Sequence, residues 1–221
     1  RYVIVGNKPW CKEVFKKLKK KNFYLIEREK LLSSRYIEKL RPSKIFVLHW
    51  NKMIPSKIYQ KFETIIFHMT DVPFGRGGSP LQNLIIRGYK ISKLSAIKCT
   101  KKIDGGPVYL KKKYSLNGNA DLIFNRISQL TVQMINQIII RNIKPIKQKG
   151  KVIFFKRRSE KQNDLKKAKN IIDAFNMIRM LDGENYPNAY IRFGKLKLKF
   201  HNAQIKKKKL LASVKFFQND K

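Results

Sequence analysis

Phe67-His68-Met69-Thr70-Asp71-Val72-Pro73-Phe74-Gly75-Arg76-Gly77-Gly78-Ser79-Pro80-Leu81-Gln82-Asn83-Leu84 is the stretch on which the reading of this chain turns. The apolar run just before it, Thr64-Ile65-Ile66, reads as a buried strand. Three glycines and two prolines then fall between Pro73 and Pro80. Glycine reaches φ > 0 and proline fixes φ near −65°, so this density predicts a loop of fixed, unusual shape. Helical spacing resumes at Leu81, Leu84 and Ile85. Ser79 suits the N-cap and Pro80 the first turn, while Gln82 and Asn83 read as surface residues of that turn. A histidine therefore stands at a strand end, ahead of a stiff loop and a helix. In open α/β sheets the ligand crevice lies at the carboxyl ends of strands.

Working outward, strands are predicted over 2–5, 23–26, 44–48 and 65–67, separated by helical spacings over 10–20, 31–40 and 53–62. The run from Ile45 to Leu48 is wholly apolar, as a central parallel strand is. This β-α alternation predicts a Rossmann-like parallel sheet. Gly6 opens no G-x-G-x-x-G loop, so dinucleotide binding has no support. Two later strands, 94–100 and 108–114, are joined by Lys102–Pro107, and a long amphipathic helix follows over 120–140. Residues 145–151 read as a linker and 164–180 as a helix. Strands over 189–193, 196–203 and 210–217 predict a small β-rich, OB-like unit. The domains expected are 1–148 for the α/β unit and 149–221 for the linker, helix and small β part.

Composition bounds the partners. The chain of 221 residues is 43% hydrophobic, enough for a real core, and carries a net charge of +37. That charge favours anionic partners such as nucleotide sugars, phosphates, folate polyglutamate or tRNA. The excess is mostly lysine and comes with abundant Ile and Asn, the compositional mark of an AT-rich genome. The lysine runs at 16–21, 111–113 and 206–209 accordingly read as solvated faces and turns. Two distant cysteines, Cys11 and Cys99, lack metal-ligand spacing, and no metal site is expected. No apolar run is long enough to span a membrane and residues 1–20 do not form a signal peptide, so a cytoplasmic protein is expected.

The order strand, His68, Pro73, Arg76-Gly77, Pro80, helix resembles the folate-dependent formyltransferases, whose pattern is roughly N-x-H-x-S-L-L-P-x-x-R-G-x-x-P. Lys102-Ile103-Asp104-Gly105-Gly106-Pro107-Val108 is similar to that family's D-x-G-x-I segment. Ile178-Arg179-Met180-Leu181-Asp182 with Tyr186-Pro187-Asn188-Ala189-Tyr190 looks like the start of its small C-terminal β domain. The three matches are in order and span most of 45–203. Two features differ: the family's Asn, two residues before the His, is Ile66 here, and Ser-Leu-Leu is Thr70-Asp71-Val72.

The resemblance implies an enzyme that moves a formyl group from 10-formyltetrahydrofolate to an amine. The carbonyl oxygen then gains negative charge and needs a donor, while the attacking nitrogen must lose a proton. A histidine beside a carboxylate serves both needs. The implied catalytic residues are His68 and its partner Asp104, with Asn51 the preferred stand-in for the missing amide. His49, Thr70 and the backbone N–H groups of Gly75–Gly78 are further options. Asp104 has a second reading, as the first residue of an Asp-Gly turn capping its own backbone. The folate is expected between two loops, with Pro73, Phe74, Gly75, Arg76, Gly77, Ile103, Gly105 and Gly106 as its binding residues. Arg76 is more readily read as holding the loop by pairing with a carboxylate. The chain's size points to a nucleotide-linked amino sugar as acceptor. The alternatives are methionyl-tRNA, supported by the charge, or an impaired member that only binds folate or nucleotide. The small β unit is a candidate homodimer contact.

Overall fold

In the computed structural model, residues 1–19 and 22–218 are described. Lys20 and Lys21 of the first lysine run lie outside them. The four early strands form where they are predicted: β1 (Tyr2–Val5), β2 (Phe23–Ile26), β3 (Lys44–Leu48) and β4 (Thr64–His68). Helices α1 (Pro9–Leu18), α2 (Ser34–Leu40) and α3 (Ser56–Lys61) connect them. All four strands pair in parallel, β2-β1-β3-β4. Alternate side chains split the core in two. Phe46, Leu48, Ile65 and Phe67 pack with α1 and the later helices on one face. Val3, Val5, Ile45 and Val47 pack with Ile37 of α2 and Ile58 of α3 on the other.

The next two strands, β6 (Ile91–Lys98) and β7 (Val108–Ser115), extend the same sheet, and here it ceases to be parallel. β6 runs antiparallel to β4, with Ile65 opposite Lys98 and His68 opposite Ser95. β7 returns antiparallel to β6. The connection from β4, residues 69–90, holds the loop and α4 (Pro80–Ile86) before β6 begins. The helix α5 spans Ala120–Ile140 and caps its start with the Asn119 side chain on Leu122 N–H. It covers the sheet beside α1, with Ile123, Phe124, Ile127 and Ile135 inward; Leu122, read as apolar contact, is instead exposed.

A two-residue strand β5 (Arg76–Gly77) pairs in parallel with β8 (Phe154–Phe155). Residues 153–155 therefore pack on the first domain. Helix α6 is Ile171–Arg179, shorter than the 164–180 spacing suggests, because Asp164 opens a separate 3-10 turn. Finally β9 (Ala189–Phe193), β10 (Leu196–Lys206) and β11 (Lys209–Gln218) make an antiparallel sheet, β11-β10-β9. Among the described residues no helix is long and apolar enough to cross a membrane.

Candidate active site

The glycine- and proline-rich loop after β4 is held from several directions. Ser95 on β6 donates to Thr70 O, and Tyr114 on β7 donates to Met69 O. Lys111, read as solvated, instead reaches Asp71 and Val72 O. Burial alone would raise the Asp71 pKa, but Lys111 and Lys93 outweigh it and hold the carboxyl below its ordinary range. Phe74 packs edge-on against Phe155, with ring centroids 5.3 Å apart. Backbone N–H groups of Arg76 and Gly78 donate to Ile153 O and Phe155 O. Gly77 has φ +100°, and a Cβ there would meet Phe155 O at 2.6 Å, so only glycine lets the two chains close.

Two sequence expectations change here. Ser79 occupies the N-cap position but has φ +47° and makes no side-chain cap; its Oγ accepts Arg158 N–H instead. Gln82 and Asn83 are not surface residues but buried. Asn83 Nδ2 donates to Gly78 O, Ser79 O and Lys156 O, tying α4 to the strand after the linker. An amide at this position can satisfy several buried carbonyls at once, which hydrophobic periodicity does not register.

His68 and Asp104 meet. The His68 Nδ1 lies 3.5 Å from Asp104 Oδ2, and both side chains are nearly buried, 8% and 12% exposed. On its other side His68 Nε2 lies 2.8 Å from Gly75 O. Nδ1 thus faces a carboxylate and Nε2 a backbone carbonyl, which fixes the plane of the ring. Asp104 Oδ2 also accepts Gly77 N–H at 2.9 Å. Its carboxylate therefore braces another loop and does not cap its own turn.

The route by which Asp104 reaches His68 differs from the sequence expectation. The two were expected to follow strands at the same edge of the sheet. Because β6 is antiparallel, Lys98 lies beside Ile65 and Cys99 N–H bonds Thr64 O, at the opposite end of β4. The connection doubles back to His68. Gly106 makes the bend, since a Cβ there would sit 1.9 Å from Lys98 O. Gln148 then fastens the loop: its Nε2 donates to Asp104 O and Gly106 O, and its Oε1 accepts from Arg76 Nε and Nη2. Arg76 thus pairs with an amide where a carboxylate was expected. Gln148 lies in a segment read as linker, and no sequence signal marks it.

The remaining predicted residues divide. Asn51 is exposed, three residues beyond β3, without a hydrogen-bond partner among the described residues. Thr70 Oγ1 is spent on Gly75 O, and the N–H groups of Arg76, Gly77 and Gly78 are all taken within the protein. Pro73 O accepts Ile153 N–H. Ile103, beside Asp104, is 54% exposed. Ile66 shares the His68 face of β4, is partly buried and packs in one cluster with Trp50, whose indole N–H is buried without a partner. A cavity of about 590 Å³ opens elsewhere, between α6 and the small sheet, and none of these residues lines it.

A second histidine lies at the end of the next strand. His49 bonds Tyr186 through Nε2 at 2.9 Å and stands edge-on to Trp10 and Phe124. Burial, with help from Lys8, Arg157 and His68, pushes its pKa down to about 4. Among the described residues no cluster of His, Cys, Asp and Glu could hold a metal ion.

A parallel-dominated sheet with a buried His–carboxylate pair braced by a Pro/Gly loop defines the class. The model for the methionyl-tRNA formyltransferase C-terminal domain matches residues 160–217. A solved methionyl-tRNA formyltransferase from Clostridium thermocellum is 38% identical, with a TM-score of 0.95 over 99% of both chains. The curated methionyl-tRNA formyltransferase of Caldicellulosiruptor saccharolyticus is 26% identical over 80% of this chain, which spans 59% of that relative's length. A sugar N-formyltransferase from Shewanella shares the fold at 16% identity and a TM-score of 0.67, over 87% of this chain and 92% of that one. The chain belongs to the formyltransferase family.

Proposed function

We propose that the chain transfers a formyl group from 10-formyltetrahydrofolate to the amine of methionyl-tRNA. The observation that carries this is the full-length match at 38% identity to a methionyl-tRNA formyltransferase. The amino-sugar reading of the sequence rested on chain size, whereas this match does not. A second observation agrees. The β10–β11 hairpin carries Lys206, Lys207, Lys208 and Lys209 at its turn, and at its other end Lys199 stands 4.3 Å from the Phe217 ring, with Phe193 and Phe216 exposed. Interleaved cations and aromatic faces suit a nucleic-acid backbone and its unstacked bases.

The donor would lie against Ile66, Ile103 and the unpartnered Trp50 N–H, beside His68. An apolar wall with a free buried donor fits a flat, amide-like heterocycle. The bound folate supplies an activated N-formyl carbonyl. With Nδ1 turned to Asp104, His68 would take the proton of the attacking amine at Nε2 once that nitrogen leaves Gly75 O.

The test is transfer of labelled formyl from 10-formyltetrahydrofolate to methionyl-tRNA and, in parallel, to a panel of nucleotide-linked amino sugars. Methionyl-tRNA should be the faster acceptor, and its binding should weaken steeply with salt. Faster transfer to an amino sugar would restore the sugar reading. Transfer to neither would mark a member that binds and does not turn over, consistent with Ile66 at the Asn position.

A further inference from the structure

The site as described makes no use of His49. Leu48 on β3 pairs with Phe67 on β4, so His49 and His68 are the next residues on adjacent parallel strands. His49 has φ +48°, a left-handed conformation that is uncommon for a non-glycine residue and is retained where surrounding contacts hold it. The turn sends its ring to a shelf formed by Trp10, Phe124 and Tyr186.

A chain of hydrogen bonds decides where the ring carries its proton. Gln82 Nε2 donates to Met180 O. The Gln82 side chain also reaches the Tyr186 hydroxyl. That hydroxyl lies 2.9 Å from His49 Nε2, where a neutral ring can take the phenolic hydrogen. A neutral His49 then bears its single proton on Nδ1. Such a ring is a poor base, because Nε2 is occupied and Nδ1 already holds hydrogen. It is a good fixed donor.

We propose that His49 is a second catalytic imidazole of this site, donating from Nδ1 to the formyl oxygen as that oxygen gains negative charge. The proposal rests on the formyltransferase reading. Neutral N–H donors preorganised toward a developing oxyanion are an economical way to stabilise acyl transfer, since they need no reorganisation as charge appears. Tyr186 and Gln82 are positioning residues that act through His49.

Paired substitutions test this in the full chain. The amide nitrogen of Asn superposes on Nδ1, and that of Gln on Nε2. His49→Asn should therefore keep kcat within about 10-fold of wild type, and His49→Gln should lose about 100-fold or more, the range seen when one oxyanion donor is removed. A role limited to holding Tyr186 predicts the reverse order, and that order would overturn the proposal. Should His49→Gln fail to fold, Tyr186→Phe serves instead. It should lower kcat with KM unchanged, and nitrogen-15 NMR of His49 should show a single Nδ1-protonated tautomer in wild type turning into a mixture. A proton on Nε2 in wild type, or unchanged kcat in Tyr186→Phe, would also overturn it. A wild type that transfers formyl to no acceptor fails the formyltransferase reading itself, a result separate from any ranking of variants.

Discussion

The two sheets of this protein are built on opposite terms. The six-stranded sheet is covered on both faces, and Ile4, Ile45, Phe46 and Ile65 are fully buried. The three-stranded sheet is only partly covered: Phe200, Leu210 and Ala212 pack against the core, whereas Phe193 is 72% exposed and Phe216 65%. Its lysines lie against its aromatics, as where Lys199 stands 4.3 Å from the Phe217 ring. A sheet buried on both faces can hold a few polar groups in fixed, dry positions. A sheet left partly open offers area and charge to something large. One part of the chain is therefore built for chemistry and the other for contact.

The sharpest test of that contrast is stability. Phe46→Ala should cost about 3–5 kcal/mol, as large core truncations do. Phe216→Ala should stay within about 0.5 kcal/mol, as exposed substitutions do. Denaturant melts of both variants check this, and equal losses would erase the distinction between the sheets.

Activity comes next. His68→Asn should lower kcat by at least ~100-fold, equivalent to about 2.7 kcal/mol. Asp104→Asn should do similarly, and the double variant should be little worse than either, because the two act as a unit. Single-turnover formyl transfer is the measurement. Additive losses would mean that the pair at 3.5 Å is two independent groups.

A smaller effect follows from His49. Its pKa in the fold, about 4, lies below the ordinary imidazole value near 6.5. The unfolded chain thus takes up its proton first as pH falls. Above about pH 6.5 neither state is protonated there and stability is at its full value. Between about 6.5 and 4 the unfolded state is favoured progressively, by a total of roughly 3 kcal/mol. The loss is complete below about 4. Urea unfolding across this window should show the slope in wild type, and His49→Asn should flatten it.

The smallest effect concerns the exposed sheet. Changing Lys206, Lys207, Lys208 and Lys209 to Ser should weaken tRNA binding by about 10-fold and reduce the log–log salt slope by roughly 3, with folding unchanged. Filter binding over a salt series reads both numbers. An unaltered slope would move the contact surface off the hairpin.

Much of this was legible in the residues. Ile45–Leu48 and the run before His68 announce parallel strands because a strand covered on both faces needs apolar residues throughout. The 120–140 segment reads as one helix, since its apolar residues fall on a 3.6-residue stripe. His68, Asp104 and the glycines between Gly75 and Gly106 stood out through the resemblance to the formyltransferase motifs, and the structure brings them together. The small β unit also falls where its alternating runs place it.

Other features depended on pairings that no local pattern encodes. The antiparallel turn of β6 put Asp104 at the far end of β4, and only the Gly106 bend and the Gln148 clamp return it to His68. Gln82 and Asn83 look like surface amides until the helix is docked, when they are found satisfying buried carbonyls. Asn51 looks apt as a strand-end donor, yet the left-handed turn at His49 leaves it in solvent. What the amino-acid sequence determined by itself was the order of elements and the two kinds of sheet, because these rest on periodicity and on backbone limits local to a few residues; the histidine and its carboxylate came through the motif resemblance. What the tertiary structure alone decided was which end of the sheet each loop reaches and which polar atoms meet. Those depend on strand direction and on burial, and a buried polar group takes whichever partner the packed chain brings within about 3 Å.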